Sequence, residues 1–157
     1  MVSIEKYSTQ REHETNLLCV KPEQAEFTVG NIATVVSTLE QHEHPHLIVA
    51  HGNVVGFFLL DLSYSETYNF STSKAMGVRA LLVDQRFQGQ GFASQAINLL
   101  PCYVKSNYPG FEQLQLTVNC RNKAAYECYR KCGFEASGKL YLGGPVGPQY
   151  IMQRKIG

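Results

Sequence analysis

Two glycines in a short loop are the residues of this chain whose spacing most directly suggests chemistry. Gly89 and Gly91 lie between an apolar run, residues 80–83, and a segment starting at Phe92 whose apolar residues recur at helical spacing. The pattern predicts a strand, a tight loop and a helix start, with no acidic side chain over residues 85–100. Such a loop directs backbone N–H groups and the positive end of a helix dipole at a phosphate. Because neither glycine carries a Cβ atom, the backbone can approach closely, and we expect a ligand with a phosphate or pyrophosphate group.

The residues of this loop exclude two common phosphate-binding motifs. A P-loop requires a lysine and a serine or threonine after its second glycine, and no lysine follows here. The dinucleotide-binding fingerprint requires a third glycine at the position that Ser94 occupies. The loop therefore belongs to another class of phosphate site, or is a structural turn.

A second segment predicts a strand followed by a short capped helix. Residues 114–119 alternate between apolar and polar side chains, as a half-buried strand does. Asn122 suits the N-cap of the following helix, and Gly133 suits the left-handed residue after its end. Ala125 and Tyr129 are four residues apart and therefore share one face of that helix.

Both segments resemble signatures of the GNAT acetyltransferases. Residues 88–93, Gln-Gly-Gln-Gly-Phe-Ala, are similar to the family's Gln/Arg-x-x-Gly-x-Gly/Ala loop. Asn122, the Ala125/Tyr129 pair and Gly133-Phe134 resemble its second signature, and the two occur in the family's order. The resemblance implies a single α/β domain over residues 1–157, with a mixed central sheet, splayed central strands and helices on both faces.

The resemblance also implies acetyl-CoA as cosubstrate, and it implies which residues hold it. Backbone groups of residues 81–83 would pair with the pantetheine amides by strand addition. The N–H groups of the glycine loop would hold the pyrophosphate, and Asn122 would reach the pantetheine arm with Asn119 close by. Asn122 also fits a plain helix cap, and the two roles are compatible. The expected cofactor-binding residues are Leu81, Leu82, Val83, Gln88, Gly89, Gln90, Gly91, Phe92, Ala93, Ser94, Asn119 and Asn122.

The reaction that the resemblance implies is direct attack of an amine on the thioester. Tyr129 is the expected proton donor to the leaving thiolate, since a phenol with a pKa near 10 is protonated at neutral pH. A strand N–H near Val83 is the expected oxyanion donor. Many relatives carry a glutamate before the glycine loop, where this chain has Arg79, and an arginine cannot accept a proton. The general base therefore stays open, with Glu26, Asp61 and Glu66 as candidates, or water.

The acceptor is the least defined part of the prediction. Residues 18–27 resemble a stretch of bacterial diamine, spermine and spermidine acetyltransferases, which implies a polyamine or another small amine. Carboxylates would bind its ammonium groups, and the candidates are Glu23, Glu26, Glu43 and Asp61. The alternatives are a protein N-terminus, an amino acid, an aminoglycoside, or a non-catalytic CoA-binding sensor.

Composition limits the partners that we expect. The chain has 157 residues, 44% of them hydrophobic, and a net charge of +1 with dispersed basic residues, so neither nucleic acid nor a membrane surface is an expected partner. No apolar run approaches the roughly 20 residues that span a bilayer. The first residues suggest a strand without a signal-peptide core, so we expect a cytoplasmic protein, and pairing of exposed sheet edges would give a homodimer.

The cysteines and histidines offer two further, weaker possibilities. The five cysteines include no Cys-x-x-Cys pair and are expected to be free thiols. Cys120 lies beside the expected cleft and raises a covalent acetyl-cysteine route as an alternative. His42, His44 and His46 would share one face of an extended strand, but Pro45 favours a connector, and we expect no metal.

The remaining pattern predicts a sheet that is antiparallel at first and locally parallel around the glycine loop. The expected strands are 2–7, 45–50, 54–62, 76–83, 113–119, 134–142 and 149–156; the expected helices are 9–20, a stretch from 22 to 39, 92–107 and 122–132; and 63–74 is expected to be a polar loop.

Overall fold

The protein is built on one seven-stranded mixed sheet. A computed structural model describes all 157 residues. The strands are β1 (Val2–Lys6), β2 (Glu43–Ala50), β3 (Asn53–Asp61), β4 (Ala75–Val83), β5 (Gln113–Asn119), β6 (Glu135–Tyr141) and β7 (Gln149–Lys155). The helices are α1 (Glu12–Asn16), α2 (Ile32–Ser37), α3 (Tyr64–Thr67), α4 (Phe92–Asn107) and α5 (Lys123–Lys131), with 3-10 turns at Thr9–Arg11, Pro22–Phe27 and Gln85–Phe87. The strand order is β1-β2-β3-β4-β5-β7-β6, and only β4 and β5 are parallel. This is the expected mixed α/β architecture.

The interior strand β3 is buried on both faces, and its side chains contribute to two core layers on opposite sides of the sheet. Phe58 and Leu60 belong to the larger cluster, which includes the apolar face of α4, while Phe57 and Leu59 belong to the smaller cluster under α1 and α2. This separation follows from the period-2 alternation of a strand. Burial of each of these large apolar side chains contributes about 1.5–3 kcal/mol relative to exposure, so both layers stabilise the sheet. None of the helices combines the length and the apolar character needed to cross a lipid bilayer.

The early helices are shorter than the sequence pattern predicted. The predicted helix over 9–20 ends at Asn16, and the predicted stretch over 22–39 is interrupted at residues 28–31. Thr28 is extended and Asn31 starts α2 afresh, with its side-chain oxygen accepting from the Thr34 N–H at 3.0 Å. The apolar spacing predicted one helix because it does not register a side-chain cap, and here such a cap starts a second, separate helix.

The predicted polar loop over 63–74 also contains an element that the pattern missed. It holds the helical turn α3, and the ring of Tyr64 lies fully buried against Gly77 of β4. A side chain at Gly77 would overlap this ring, so the glycine is what admits Tyr64 to the core.

The sheet separates between β4 and β5. Residues Ala75–Gly77 pair with Gln113–Gln115, and no pairing continues beyond them. On its other side β4 carries one extra residue, because Arg79 and Leu82 oppose Leu59 and Phe57 of β3. Ala80 lies in this bulge with φ = +55°, which is uncommon for a residue with a Cβ atom. The bulge bends β4, and the outward backbone groups beyond Gly77 have no strand partner.

A buried histidine lies on the α4 face of the sheet, away from this separation. His46 is fully buried, stacks on Phe58, and its Nδ1 and Nε2 lie 2.9 Å from the His44 carbonyl and 2.8 Å from the Tyr103 hydroxyl. Burial lowers the pKa of His46 to about 4, so the imidazole is neutral in the folded protein at physiological pH.

We expect the folded state to lose stability on acidification because of this histidine. Its folded pKa lies below the ordinary value of about 6.5, so the unfolded chain binds the proton more readily and protonation favours unfolding. The loss attributable to His46 is about 3 kcal/mol between pH 6.5 and pH 4. Urea unfolding across this range measures it, and His46→Gln, which cannot titrate, should flatten the slope. Equal slopes in both proteins would contradict the assignment.

Candidate active site

Three adjoining cavities follow the separation between β4 and β5. We call them the loop pocket, about 190 Å³, beside the glycine loop; the seam pocket, about 230 Å³, between β4 and α5; and the front cavity, about 460 Å³. Val83, Gln88 and Ala93 line both the loop pocket and the seam pocket. Leu81, Asn122 and Tyr129 are among the residues that line both the seam pocket and the front cavity. The three cavities therefore form one continuous cleft.

The loop pocket presents unpaired backbone donors at the start of α4. Gly91 occupies the N-cap position without a capping side chain, and the N–H groups of Phe92, Ala93 and Ser94 have no protein acceptor. Gly89 and Gly91 both have φ = +80°, a conformation that residues with a Cβ atom rarely adopt. No acidic side chain lines this pocket. Unpaired N–H groups at the positive end of a 16-residue helix suit a phosphate.

Gln88 holds the loop in place through its side chain. Its Nε2 lies 2.9 Å from the Val83 carbonyl and 2.9 Å from Oε1 of Gln24, whose own amide returns a hydrogen bond at 3.2 Å. Gln24 lies in the 3-10 turn Pro22–Phe27 and was not among the predicted site residues. Gln90, which was, is exposed and lines none of the three cavities.

The seam pocket offers the unpaired edge of β4 opposite α5. Leu81, Leu82 and Val83 all line it; their outward backbone groups have no strand partner, and the Val83 carbonyl accepts from Nε2 of Gln88. Asn122 begins α5, and its Oδ1 accepts from the Ala125 N–H at 3.4 Å while its side-chain NH₂ makes no protein hydrogen bond. Asn122 can therefore cap the helix through Oδ1 and still offer its side-chain NH₂ to a ligand.

Tyr129 lies where the seam pocket meets the front cavity. Its ring packs edge-on against Phe134 at 5.6 Å, and no protein group hydrogen-bonds its hydroxyl. Desolvation raises the pKa of Tyr129 further above its ordinary value of 10, so the hydroxyl retains its proton throughout the neutral range.

The loop over residues 143–148 closes one side of the front cavity. Nδ2 of Asn119 and the Arg121 guanidinium donate to the Val146 carbonyl at 3.1 and 3.0 Å, and Oδ1 of Asn119 accepts from the Arg121 N–H at 2.9 Å. Arg121 also forms an ion pair with Glu26 at 3.0 Å. Asn119 is therefore occupied in holding this loop, although its residue lines the cavity.

The opposite wall of the front cavity carries a charged group centred on Arg79. Nη1 of Arg79 donates to Glu43 at 2.8 Å and to Asp61 at 3.2 Å. Asp61 is fully buried, and it also accepts hydrogen bonds from the Ser63 N–H and from Nδ1 of His42, both at 3.0 Å. Hydrogen bonding to Asp61 raises the pKa of His42 above its ordinary value.

Of the acidic residues predicted to act in the site, some line the front cavity and others lie outside it. Glu26 and Glu43 line the front cavity and are its only carboxylates. Glu23 and Glu66 are exposed outside the cleft, and Asp61 lies beneath Arg79 without lining any of the three cavities. Asp61 thus contacts the site through Arg79 rather than through the cavity.

The cysteine and histidine alternatives receive no geometric support. Cys120 lines none of the three cavities, whereas Cys128, which was not predicted, lines the seam pocket. His42 bonds Asp61, His44 bonds the Tyr108 hydroxyl at 2.8 Å, and the structure contains no group of three or more ligating side chains able to hold a metal ion.

Sequence reasoning also missed the aromatic wall of the front cavity. Tyr64 and Tyr68 both line it, with ring centroids 4.5 Å apart. Their spacing of four residues within a segment interpreted as loop was the available signal, because it is the spacing of one helical face.

Comparison with known proteins agrees with this geometry. The Acetyltransferase (GNAT) family profile matches residues 7–134. An uncharacterized N-acetyltransferase of Bacillus subtilis (strain 168), YbbJ, is 32% identical over 113 residues, which cover 71% of this chain and 70% of that protein.

Solved structures share the fold at lower identity. Aminoglycoside acetyltransferase AAC(6')-Ib in complex with coenzyme A superposes with a TM-score of 0.77 at 18% identity, covering 99% of this chain and 95% of that one. A spermidine N-acetyltransferase from Vibrio cholerae, in complex with CoA and spermine, gives 0.72 at 16% identity, covering 98% and 95%. With the family match spanning both sequence signatures and the cleft between them, the chain belongs to the GNAT family and is an acetyl-CoA-dependent N-acetyltransferase.

Proposed function

We propose that this enzyme acetylates the primary amine of a small molecule bound in the front cavity. The observation that carries the proposal is the continuity of the cleft: a phosphate-type pocket, an unpaired strand edge and a cavity with carboxylates follow one another, and Tyr129 lies at the last junction. A long cosubstrate and a separate acceptor would meet at that junction.

The residues present fit acetyl-CoA, which would supply the activated acetyl thioester. The N–H groups at the start of α4 would hold its pyrophosphate, because they are unpaired and face a pocket without acidic groups. The outward edge of β4 at Leu81–Val83 would pair with the pantetheine amides, and the side-chain NH₂ of Asn122 is available to the same arm. No side-chain identity on β4 is required for this pairing.

Tyr129 is the proposed proton donor in the transfer. The amine nitrogen forms a bond to the acetyl carbon, the carbon–sulfur bond breaks, the sulfur takes the Tyr129 proton, and the amine loses one proton. A β4 backbone N–H near Val83 would stabilise the charge on the carbonyl oxygen, an effect typically worth about 3 kcal/mol of barrier. Arg79 cannot accept the amine proton, so the candidates facing the cavity are Glu26 and Glu43, or water.

Two acceptor classes remain in competition. A polyamine is supported by the similarity of residues 18–27 to the diamine and spermidine enzymes and by the carboxylates of Glu26 and Glu43. An amino-acid-type acceptor is supported by Arg79, a cation in the same wall. A non-catalytic CoA sensor is the functional alternative, and the intact Tyr129 junction disfavours it.

The test is thiol release from acetyl-CoA across a panel of amines, combined with calorimetry of acetyl-CoA binding. We expect acetyl-CoA to bind and at least one small primary amine to increase thiol release well above hydrolysis. Binding without amine-dependent release would favour the sensor, and failure to bind acetyl-CoA would contradict the proposal.

A further inference from the structure

The guanidinium of Arg79 donates hydrogen bonds to the protein from one nitrogen only. Both of its hydrogen bonds, to Glu43 and to Asp61, come from Nη1. Nε and Nη2 make no hydrogen bond with any protein group, although the side chain is only 35% exposed and lines the front cavity. Three N–H donors of a fixed cation are therefore without a protein partner.

The geometry of these donors selects a particular kind of acceptor group. Nε and Nη2 form one edge of the planar guanidinium, with two N–H bonds that run nearly parallel. This edge matches the two oxygens of a carboxylate and gives a bidentate, charge-assisted contact. The ion pairs of Nη1 with Glu43 and Asp61 hold the plane in place, so the edge is preorganised.

The two carboxylates that line the front cavity are not free to bind the ammonium groups of a polycation. Each is already paired with an arginine, Glu43 with Arg79 at 2.8 Å and Glu26 with Arg121 at 3.0 Å. A polyamine brings several ammonium groups and no compensating anion, so it would have to compete with both arginines. A zwitterion brings a carboxylate of its own, which would bind the Nε–Nη2 edge of Arg79 while Nη1 keeps its contacts with Glu43 and Asp61.

We propose that the acceptor is a small amine that also carries a carboxylate, of the amino-acid type, and that Arg79 binds this carboxylate through its Nε–Nη2 edge. The assignment rests on the proposed function and names the substrate class of that site. The apolar part of the wall, including Val35, Leu39 and Leu59, would accommodate the acceptor's side chain.

Matched pairs of acceptors test the carboxylate directly. Each pair differs only by that group: lysine and 1,5-diaminopentane, leucine and 3-methylbutylamine, phenylalanine and 2-phenylethylamine. In the preferred pair we expect kcat/KM to be at least about tenfold higher for the carboxylate-bearing member, since a charge-assisted hydrogen bond is worth about 1.5–3 kcal/mol. The corresponding amino-acid amide should behave like the decarboxylated member. Equal rates within every pair, or higher rates with spermidine than with any amino acid, would overturn the proposal.

A conservative variant tests the role of Arg79. Arg79→Lys keeps a cation beside Glu43 and Asp61 but removes the bidentate edge. We expect the preference for the carboxylate-bearing member to fall at least about tenfold, because the two parallel hydrogen bonds of the bidentate contact are lost. Arg130→Lys is the matched control, since Arg130 forms an ion pair with Glu127 on the outer face of α5 and lines none of the cavities. An unchanged preference in Arg79→Lys would overturn the assignment.

A binding measurement separates this proposal from the proposed function. Calorimetry with the CoA-saturated protein, which has no acetyl group to transfer, should show tighter binding of the carboxylate-bearing member of each pair. Amine acetylation without any carboxylate preference would overturn the substrate class and leave the acetyltransferase assignment intact. If no carboxylate-bearing amine binds or reacts while CoA binds normally, the substrate class is likewise wrong. Failure to bind CoA would instead contradict the proposed function itself.

Discussion

Tyr129→Phe is expected to lower kcat about 100-fold and to leave acetyl-CoA affinity unchanged. Tyr129 lines both the seam pocket and the front cavity, and the leaving sulfur would need a proton at this junction. General acid catalysis typically contributes 10²–10⁴-fold, and water in the cleft would replace part of it. Steady-state kinetics with the best acceptor, together with calorimetry of acetyl-CoA binding, measures both effects.

Tyr126→Phe provides the matched control on the same helix. Tyr126 packs against Tyr150 at 4.7 Å and lines none of the three cavities, so its hydroxyl should not affect turnover. Because burial raises the pKa of Tyr129 above 10, the wild-type rate should show no loss from tyrosine ionisation up to about pH 9–10. A kcat in Tyr129→Phe equal to that of the wild type would refute the proton-donor role.

Gly91→Val is expected to weaken acetyl-CoA binding at least about tenfold, a change of about 1.4 kcal/mol. Gly91 has φ = +80° and starts α4, so valine would either strain the backbone or rotate the unpaired N–H groups away from the phosphate. A Cβ atom at Gly91 would meet only the Gln95 side chain at 3.6 Å, so protein crowding is not the cause. Calorimetry with acetyl-CoA gives the affinity.

Gly110→Val controls for the backbone strain alone. Gly110 also has a positive φ, +104°, and a Cβ atom there would meet no neighbour within 4 Å, but the residue lies beyond the far end of α4. We expect both variants to lose stability and only Gly91→Val to lose affinity. Equal affinity in the two variants would show that the loop does not hold the phosphate.

The elements of the cofactor half could be predicted because their signals are local. The pattern predicted α4 at 92–107 and β5 at 113–119, and the structure has the same bounds. Gly133 was predicted to follow α5 in the left-handed conformation, and its φ is +90°. Each of these signals lies within one or two turns of the residues that it describes.

The acceptor-binding part of the site could not be predicted, because it depends on contacts between residues far apart in the sequence. Arg79 was recognised only as a basic residue in a position that is acidic in relatives. Its partners Glu43 and Asp61 lie on β2 and β3, and only the strand register places them beside it. Asp61 was predicted to face the acceptor, but its carboxylate is drawn beneath Arg79 and is fully buried. The pairing of Gln24 with Gln88 likewise spans 64 positions.

The short pairing between β4 and β5 has a mechanical consequence. One part of the sheet consists of β1, β2, β3 and β4, and the other of β5, β7 and β6. The two parts are hydrogen-bonded only where Ala75–Gly77 of β4 pairs with Gln113–Gln115 of β5. A ligand that pairs with the free edge of β4 would make hydrogen bonds that β5 does not make there, and it would extend the contact between the two parts of the sheet. Cosubstrate binding would then stiffen the fold as well as load the enzyme, and product release would require that the two halves of the sheet loosen again.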